Sequence, residues 1–179
     1  MLQTESGTHR LVFLIGSVVI KIPRWLRSKK KGSLRRLFKR VEFRKFLMWI
    51  RYDFKFVFQV FIDGFVENWT EWRCWRATRA EFLTPVYFSL GFINIQKRCR
   101  GAKITQDEDW EISARILKAT EGDVWETNSH TFLSRGNYLR VGDGYKMIDF
   151  GDRTKDRMPV TDFIRKWHDE LAEILSATY

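Results

Sequence analysis

Three pairs of short apolar runs, each turning at a glycine, constrain the fold of this chain more than any other feature. Residues 11 to 22 read "LVFLIGSVVIKI", and residues 83 to 98 read "LTPVYFSLGFINIQKR". A third pair flanks the turn Gly142–Asp143–Gly144. Runs of β-branched and large apolar residues that are bounded by such turns are typical of paired β-strands. The chain is therefore expected to contain three antiparallel strand pairs.

Segments with helical spacing of apolar residues separate these pairs. Helices are predicted over 34–50, 67–82, 107–120 and 160–176, with a turn at Asp63–Gly64, whereas 52–62 fits a helix or a strand. The inward stripes are predicted to be Trp110, Ala114 and Leu117 in the third helix, and Phe163, Trp167, Leu171 and Ile174 in the last. The alternation of strands and helices predicts an α+β fold with a strand-rich first part and a helix-rich second part.

Composition limits the class of protein. Apolar residues form 44% of the 179 residues, which is enough for the core of one domain. The polar start "MLQTESGTHR" lacks the apolar segment of a signal peptide, and no run approaches the length of a membrane span. Cys74 and Cys99 lack metal-site spacing. A cytoplasmic protein with reduced thiols is expected.

The positive charge is concentrated in one segment. Residues 24 to 51 hold 12 Lys or Arg against one acid, Glu42, so that the remainder of the chain carries a net charge of −1. We call residues 24 to 62 the basic insert. Its binding residues are predicted to be Lys29, Lys30, Lys31, Arg35, Arg36, Lys39 and Arg40. Aromatic residues interleaved with these cations favour an anionic membrane surface first, then an acidic protein partner, then nucleic acid.

Four polar residues follow one another in an order that suits phosphoryl transfer. Lys21 lies in an apolar strand, Glu71 lies in the predicted helix 67–82, and Asn137 and Asp149 flank the last strand pair. A lysine that contacts nucleotide phosphates needs an acid to hold it, and an Asn and an Asp hold magnesium in this chemistry. Each residue also has a purely structural interpretation: an edge-strand Lys, a solvated Glu, a turn Asn and a capping Asp.

These motifs resemble the protein-kinase-like superfamily, and they are most similar to small divergent bacterial and phage members and to sugar and lipopolysaccharide-core kinases. The resemblance rests on "VIKI", on "NWTEWRCW" with Glu71, on "HTFLSRGN" and on "MIDFGD". It implies one minimal two-lobed kinase-like domain, with residues 1–98 as the first lobe, including the basic insert, and 99–179 as a reduced second lobe. It also implies ATP and Mg²⁺ as ligands, with catalytic residues Lys21, Glu71 and Asp149, metal ligands Asn137 and Asp149, and a nucleotide site of Lys21, Gln96, Lys97, Arg98 and Asn137. Glu67 competes with Glu71 for the pairing with Lys21.

The sequence also departs from the kinase pattern. Phe132 stands five residues before Asn137, where the family carries its catalytic Asp, and a phenyl ring accepts no proton. Asp123 and Asp152 are the candidate replacement bases. Only Gly7 precedes the first strand pair, and 28 residues follow Gly151, too few for a full helical lobe.

The expected function is therefore that of a pseudokinase or regulatory protein that binds ATP with magnesium and is held peripherally at the inner face of a membrane or on a protein partner. One alternative is an active small kinase acting on a lipid, sugar or protein hydroxyl. Another is a nucleic-acid-binding protein that uses the basic insert.

Overall fold

The computed structural model describes residues 3–6, 10–23, 40–127, 129–151 and 158–176. Side-chain surroundings are described from Arg10 to Pro23 and, except at 129 and 130, for the described residues from Phe58 onward. It is a mixed α+β structure with two antiparallel sheets. The strands are β1 Gln3–Ser6, β2 Arg10–Ile15, β3 Val18–Pro23, β4 Val86–Ser89, β5 Asn94–Lys97, β6 Ala102–Lys103, β7 Tyr138–Val141 and β8 Gly144–Met147. The helices are α1 Arg40–Thr78, α2 Gln106–Ala119, α3 Ser129–Phe132, α4 Val160–Lys166 and α5 His168–Ser176.

The five-stranded sheet has the order β1-β2-β3-β5-β4, and the three-stranded sheet has the order β6-β7-β8. The three predicted strand pairs are confirmed as β2–β3, β4–β5 and β7–β8. The turn between β2 and β3 uses Gly16 at a φ of 57°, and the turn between β7 and β8 uses Gly142 at a φ of 62°. Glycine adopts such positive φ values at little cost, which explains why the runs break there.

One long helix, α1, replaces the predicted pair of helices, and the turn predicted at Asp63–Gly64 is wrong. The helix runs unbroken through both residues, and Gln59 Nε2 donates to Asp63 Oδ1 at 2.8 Å, one helical turn away. Gly64 is buried, on the same helix face as Asn68 and Glu71. A glycine in a helix interior costs about 1 kcal/mol relative to alanine, which the packing of this face has to offset.

Helix α2 begins and ends within one residue of its prediction. Thr105 and Glu108 form a reciprocal capping box at its start, with Glu108 Oε2 accepting from the Thr105 amide at 2.6 Å. Its predicted inward face is wrong in part, because Trp110 is 66% exposed and the buried residues are Ile112 and Ile116.

The predicted closing helix is two helices, α4 and α5, which break at Trp167. The backbone there has a φ of −116° and a ψ of 28°. Phe163, Leu171 and Ile174 are buried as predicted, and Trp167 packs against the core cluster.

The hydrophobic core lies between the end of α1, helix α2, the β7–β8 hairpin and the two closing helices. Two backbone hydrogen bonds tie the hairpin to the segment after α1: Thr84 N donates to Met147 O at 2.9 Å, and Met147 N donates to Phe82 O at 2.8 Å. They fix the end of β8, and with it Asp149, beside α1. No helix in the described part of the chain is long and apolar enough to cross a membrane.

Candidate functional site

A buried group of charged side chains lies between the five-stranded sheet and α1. Strand pairing places its sheet members, since Lys21 is opposite Asn94 across β3 and β5, and Val12 is opposite Lys21 across β2 and β3. Residues that face each other across antiparallel strands share a face, and so do residues two apart along one strand. Arg10, Lys21, Asn94 and Gln96 therefore all point to the face that α1 covers.

Glu71 is the centre of this group and is fully buried. Its Oε1 accepts from Lys21 Nζ at 2.7 Å and pairs with Arg10 Nη1 at 3.0 Å. Its Oε2 accepts from Asn94 Nδ2 at 2.7 Å and from Gln96 Nε2 at 3.0 Å. Four donors around one carboxylate fit its ionised form, and the ion pair predicted between Lys21 and Glu71 is present.

Arg10 joins three carboxylates and is 4% exposed. Its Nε lies 3.1 Å from Glu67 Oε2, its Nη1 lies 3.0 Å from Glu71 Oε1, and its Nη2 contacts Asp149 Oδ1. We call Arg10, Lys21, Glu67, Glu71 and Asp149 the charge cluster. Glu67, the competitor for Lys21, pairs with Arg10 instead.

Asp149 follows β8 and keeps 46% of its side chain exposed. Its Oδ1 lies 4.0 Å from Lys21 Nζ, and Lys21 Nζ also donates to Ile148 O at 2.9 Å. The next glycine, Gly151, meets α1 closely, because a Cβ there would lie 2.8 Å from Glu67 O. A side chain at 151 would therefore push the end of the hairpin away from Glu67 and Arg10.

The burial and the charges shift the pKa values of these groups. Burial alone would raise the pKa of the Asp149 carboxyl, but the charges of Arg10 and Lys21 bring it below its ordinary value. Burial raises the pKa of Glu71, and Arg10 and Lys21 oppose that shift. Burial alone would lower the pKa of the Arg10 guanidinium, but Asp149, Glu71 and Glu67 hold it above its ordinary value. Arg10 is thus a permanent cation in the charge cluster.

The predicted metal ligands Asn137 and Asp149 are close in the chain's fold, since Ile148 N donates to Asn137 O at 2.7 Å. Asn137 Nδ2 donates to Thr131 O at 3.1 Å, a bond that closes the loop before β7. Among the described residues, no three His, Cys, Asp or Glu side chains are grouped as a metal site would require.

The predicted nucleotide-binding residues on β5 separate into two sets. Gln96 is 1% exposed and points to Glu71, so its observed partner is the charge cluster. Lys97 is exposed, and the amide of Arg98 donates to Ser17 O at 2.8 Å. Of the predicted surface residues of the basic insert, Arg40 begins α1, and Lys29, Lys30, Lys31, Arg35, Arg36 and Lys39 lie outside the described residues.

The loop that precedes β7 holds Phe132 in the core. Phe132 is 0% exposed, and its ring centroid lies 4.6 Å from that of Phe163. Tyr138 Oη donates to Phe132 O at 2.8 Å. Of the two candidate replacement bases, Asp123 contacts Lys166 and Trp167, and Asp152 lies outside the described residues.

Sequence reasoning missed Arg10, Asn68 and Asn94. Asn68 Nδ2 donates to Gly91 O at 2.7 Å, and a Cβ at Gly91 would meet the Phe65 ring at 2.2 Å. The signal for Arg10 was the two-residue turn at 16–17, which puts Arg10 and Lys21 on one face of the hairpin. The sequence matches no protein-family model, and comparison with curated proteins returns no match.

Proposed function

We propose that this chain is a kinase-like protein that binds a nucleotide and has lost phosphotransfer. The observation that carries the proposal is the buried ion pair between Lys21 and Glu71, at 2.7 Å, with Asp149 Oδ1 4.0 Å from the same Lys21 nitrogen. In protein kinases a strand lysine is held by a glutamate of the following helix, and an Asp nearby holds magnesium. Lys21, Glu71 and Asp149 occur along the chain in the order of these kinase residues, and they also lie close together in the fold.

The arrangement of elements supports the two-lobed part of the proposal. Lys21 is on the third strand of a five-stranded antiparallel sheet, and Glu71 is on the helix between that strand and β4. Asp149 comes from the hairpin that is tied to the segment after α1. We assign residues 1–98 to the first lobe of a minimal kinase-like fold and 99–179 to the second.

The loss of phosphotransfer follows from the position of Phe132. A general base is typically worth about 100- to 10,000-fold in rate. Phe132 supplies none, and its ring packs on Phe163 within the core. Asp123 is engaged by Lys166 and Trp167. Phosphotransfer is therefore expected to be undetectable or very slow, which favours a regulatory or binding role.

The two residues predicted to hold magnesium have other partners in the fold. Asp149 Oδ1 contacts Arg10, and the Asn137 amide nitrogen faces Thr131 O. A magnesium ion takes oxygen ligands in near-ideal octahedral geometry. The nucleotide phosphates and water would have to supply most of those oxygens.

Titration with a fluorescent ATP analogue tests nucleotide binding in the full chain. We expect a dissociation constant in the micromolar to millimolar range, weakened at least tenfold by Lys21→Met. Lys103→Met, an exposed lysine on β6, is the matched control and leaves affinity unchanged. Absence of binding by the wild-type chain at millimolar analogue would contradict the proposal.

Transfer of labelled γ-phosphate decides between the pseudokinase and the active kinase. Incubation with γ-labelled ATP and candidate lipid, sugar and protein acceptors should leave the label on ATP. Label on an acceptor that disappears with Asp149→Ala would favour the active kinase instead.

We further propose that the basic insert attaches the protein to an anionic surface, with a membrane ranked before an acidic protein partner and nucleic acid. Each Lys or Arg near an anionic bilayer contributes about 1 kcal/mol, and the segment from 24 to 51 has a net charge of +11. Sedimentation with anionic and neutral vesicles, beside a gel shift with random DNA and RNA, tests the ranking. Charge reversal of Arg35, Arg36, Lys39 and Arg40 to Glu should abolish sedimentation of the protein with anionic vesicles.

A further inference from the structure

We propose that the guanidinium of Arg10 takes the place of a divalent metal ion as the partner of Asp149, so that magnesium does not strengthen ligand binding at this site. The ligand part rests on the proposed function. The Arg10–Asp149 part stands on the geometry of the charge cluster alone.

All three nitrogens of the Arg10 guanidinium are held by side-chain contacts. Each of its three nitrogens has a carboxylate oxygen as a partner, on Glu67, Glu71 and Asp149 respectively, and Nη1 also donates to Asn68 Oδ1 at 3.3 Å. The Arg10 side chain is 5% exposed, so its contacts with Glu67 and Glu71 are shielded from competing water, whereas Asp149 keeps 46% of its side chain exposed. Arginine suits this position because its planar fork serves several carboxylates at once and never loses its charge.

Asp149, one of the two predicted metal ligands, does not fit magnesium through its Oδ1 in this arrangement. The Oδ1 atom of Asp149 already has two cations near it, Arg10 in contact and Lys21 at 4.0 Å. A divalent ion at the same oxygen would be repelled by both. Asn137 Nδ2 donates to Thr131 O at 3.1 Å, so Oδ1 is the atom of this side chain that could coordinate a metal.

The charge count limits how strongly an anion binds here. When all five groups of the charge cluster are ionised, its two cations and three carboxylates leave a net charge of −1. Within the described residues, four of the five N–H groups of Arg10 and two of the three of Lys21 have partners. The one remaining donor of each belongs to a side chain that is only 5% exposed, so we expect weak, metal-independent nucleotide binding.

Metal binding by the full chain without nucleotide gives the first test, with Mn²⁺ as the probe and its electron paramagnetic resonance signal as the readout. We expect the wild-type chain to leave Mn²⁺ free at millimolar concentration. Arg10→Met removes the cation and keeps most of the length, so it should bind Mn²⁺ at least tenfold more tightly. Arg73→Met, which changes an exposed arginine of α1 outside the charge cluster, is the control. Mn²⁺ binding by the wild-type chain that is lost with Asp149→Asn would overturn the proposal.

The thermal stability of Asp149→Asn gives a second test that does not depend on whether Arg10→Met folds. If Asp149 is the partner of Arg10, its neutralisation should lower Tm in metal-free buffer by a few degrees. If Asp149 were instead an unoccupied metal ligand, its charge would repel the neighbouring Glu71 carboxylate. Neutralising Asp149 would then raise the stability of the protein. A Tm that rises or stays constant would therefore contradict the Arg10–Asp149 assignment.

Nucleotide titration with Mg²⁺ and with EDTA separates this inference from the proposed function. Equal affinity for the fluorescent ATP analogue in both buffers supports the replacement of the metal by Arg10. Binding that appears only with Mg²⁺ overturns it and leaves the proposed function standing. If the analogue binds in neither buffer, the proposed function fails, and the Mn²⁺ and Tm results still decide the role of Arg10.

Discussion

The charge cluster and the loop that precedes β7 are neighbours, yet they are stabilised in opposite ways. Ile148 touches both, since its carbonyl accepts from Lys21 Nζ at 2.9 Å and its amide donates to Asn137 O at 2.7 Å. On one side, Glu71 is buried among two cations and two amide donors. On the other side, Phe132 is buried as a ring against Phe163.

This difference has separate consequences for ligand binding and for catalysis. A buried carboxylate is tolerated only where cations and donors surround it, as they surround Glu71. The position before β7 that would serve as a base is apolar and closed. Under the proposed function, such a site would hold phosphates through its cations and would not supply a base for proton transfer.

The largest effect is expected from Phe132→Asp, which introduces the Asp that protein kinases carry five residues before their metal-binding Asn. Because the side chain at 132 is fully buried, the new carboxylate loses its hydration, and we expect a loss of about 4 kcal/mol or more in the free energy of unfolding. Urea denaturation followed by circular dichroism measures it. Phe132→Leu, which stays apolar, should cost about 1.5 kcal/mol.

A stable Phe132→Asp protein that transfers phosphate would break the comparison. It would mean that the loop opens to the charge cluster in solution and that position 132 reaches the nucleotide.

Glu71→Ala should give the next largest effect. It leaves Lys21 and Arg10 buried without their shared carboxylate, and removing one partner of a buried ion pair typically costs about 3–5 kcal/mol. The same denaturation measurement applies, with Glu173→Gln on α5 as an exposed control that should change stability by less than about 0.5 kcal/mol. A loss below about 1 kcal/mol would show that the charge cluster is hydrated and only loosely formed.

Much of the fold was predictable because its strand pairs turn at glycines, which leave a local signal. The continuity of α1 was not, because an Asp–Gly pair reads as a turn until its surroundings are known. In the protein, Gly64 lies on the buried face of α1. The inward face of α2 was misassigned for a related reason: Trp110 is large and apolar but 66% exposed, while the neighbouring stripe of Ile112 and Ile116 faces the core.

The candidate site was predictable where the order of residues along the chain carries it, as for Lys21 and Glu71. The contacts of Arg10 depend on strand register and on where α1 crosses the sheet. The turn at 16–17 implied the strand register. Nothing in the sequence indicated where α1 crosses the sheet. The contacts of Asn94 and Gln96 with Glu71 were hidden for the same reason, because polar residues in a strand give no sign of which helix covers them.

Asn137→Ala tests the residue that lies between the charge cluster and the loop before β7. If Asn137 holds the loop through its hydrogen bond to Thr131 O, the change should cost about 1 kcal/mol in stability. The affinity for the fluorescent ATP analogue should then stay constant in Mg²⁺ and in EDTA. A tenfold loss of affinity confined to the Mg²⁺ buffer, with unchanged stability, would instead identify Asn137 as a metal ligand.

The smallest effect is expected from Asp123→Asn, which changes a residue outside the charge cluster. The hydrogen bond and the charge of Lys166, with a further bond from Trp167 Nε1 at 3.2 Å, lower the pKa of the Asp123 carboxyl below its ordinary 3.8. A group whose pKa is lower in the folded chain adds stability above its unfolded pKa, and that stability is lost as the pH falls through the folded value. Thermal melts should therefore show Asp123→Asn slightly below the wild-type chain at pH 7, with the gap closing below about pH 4. If Asp123 acted as a base, the substitution would abolish phosphotransfer; a gap in Tm that persists unchanged into acid would contradict the ion pair with Lys166.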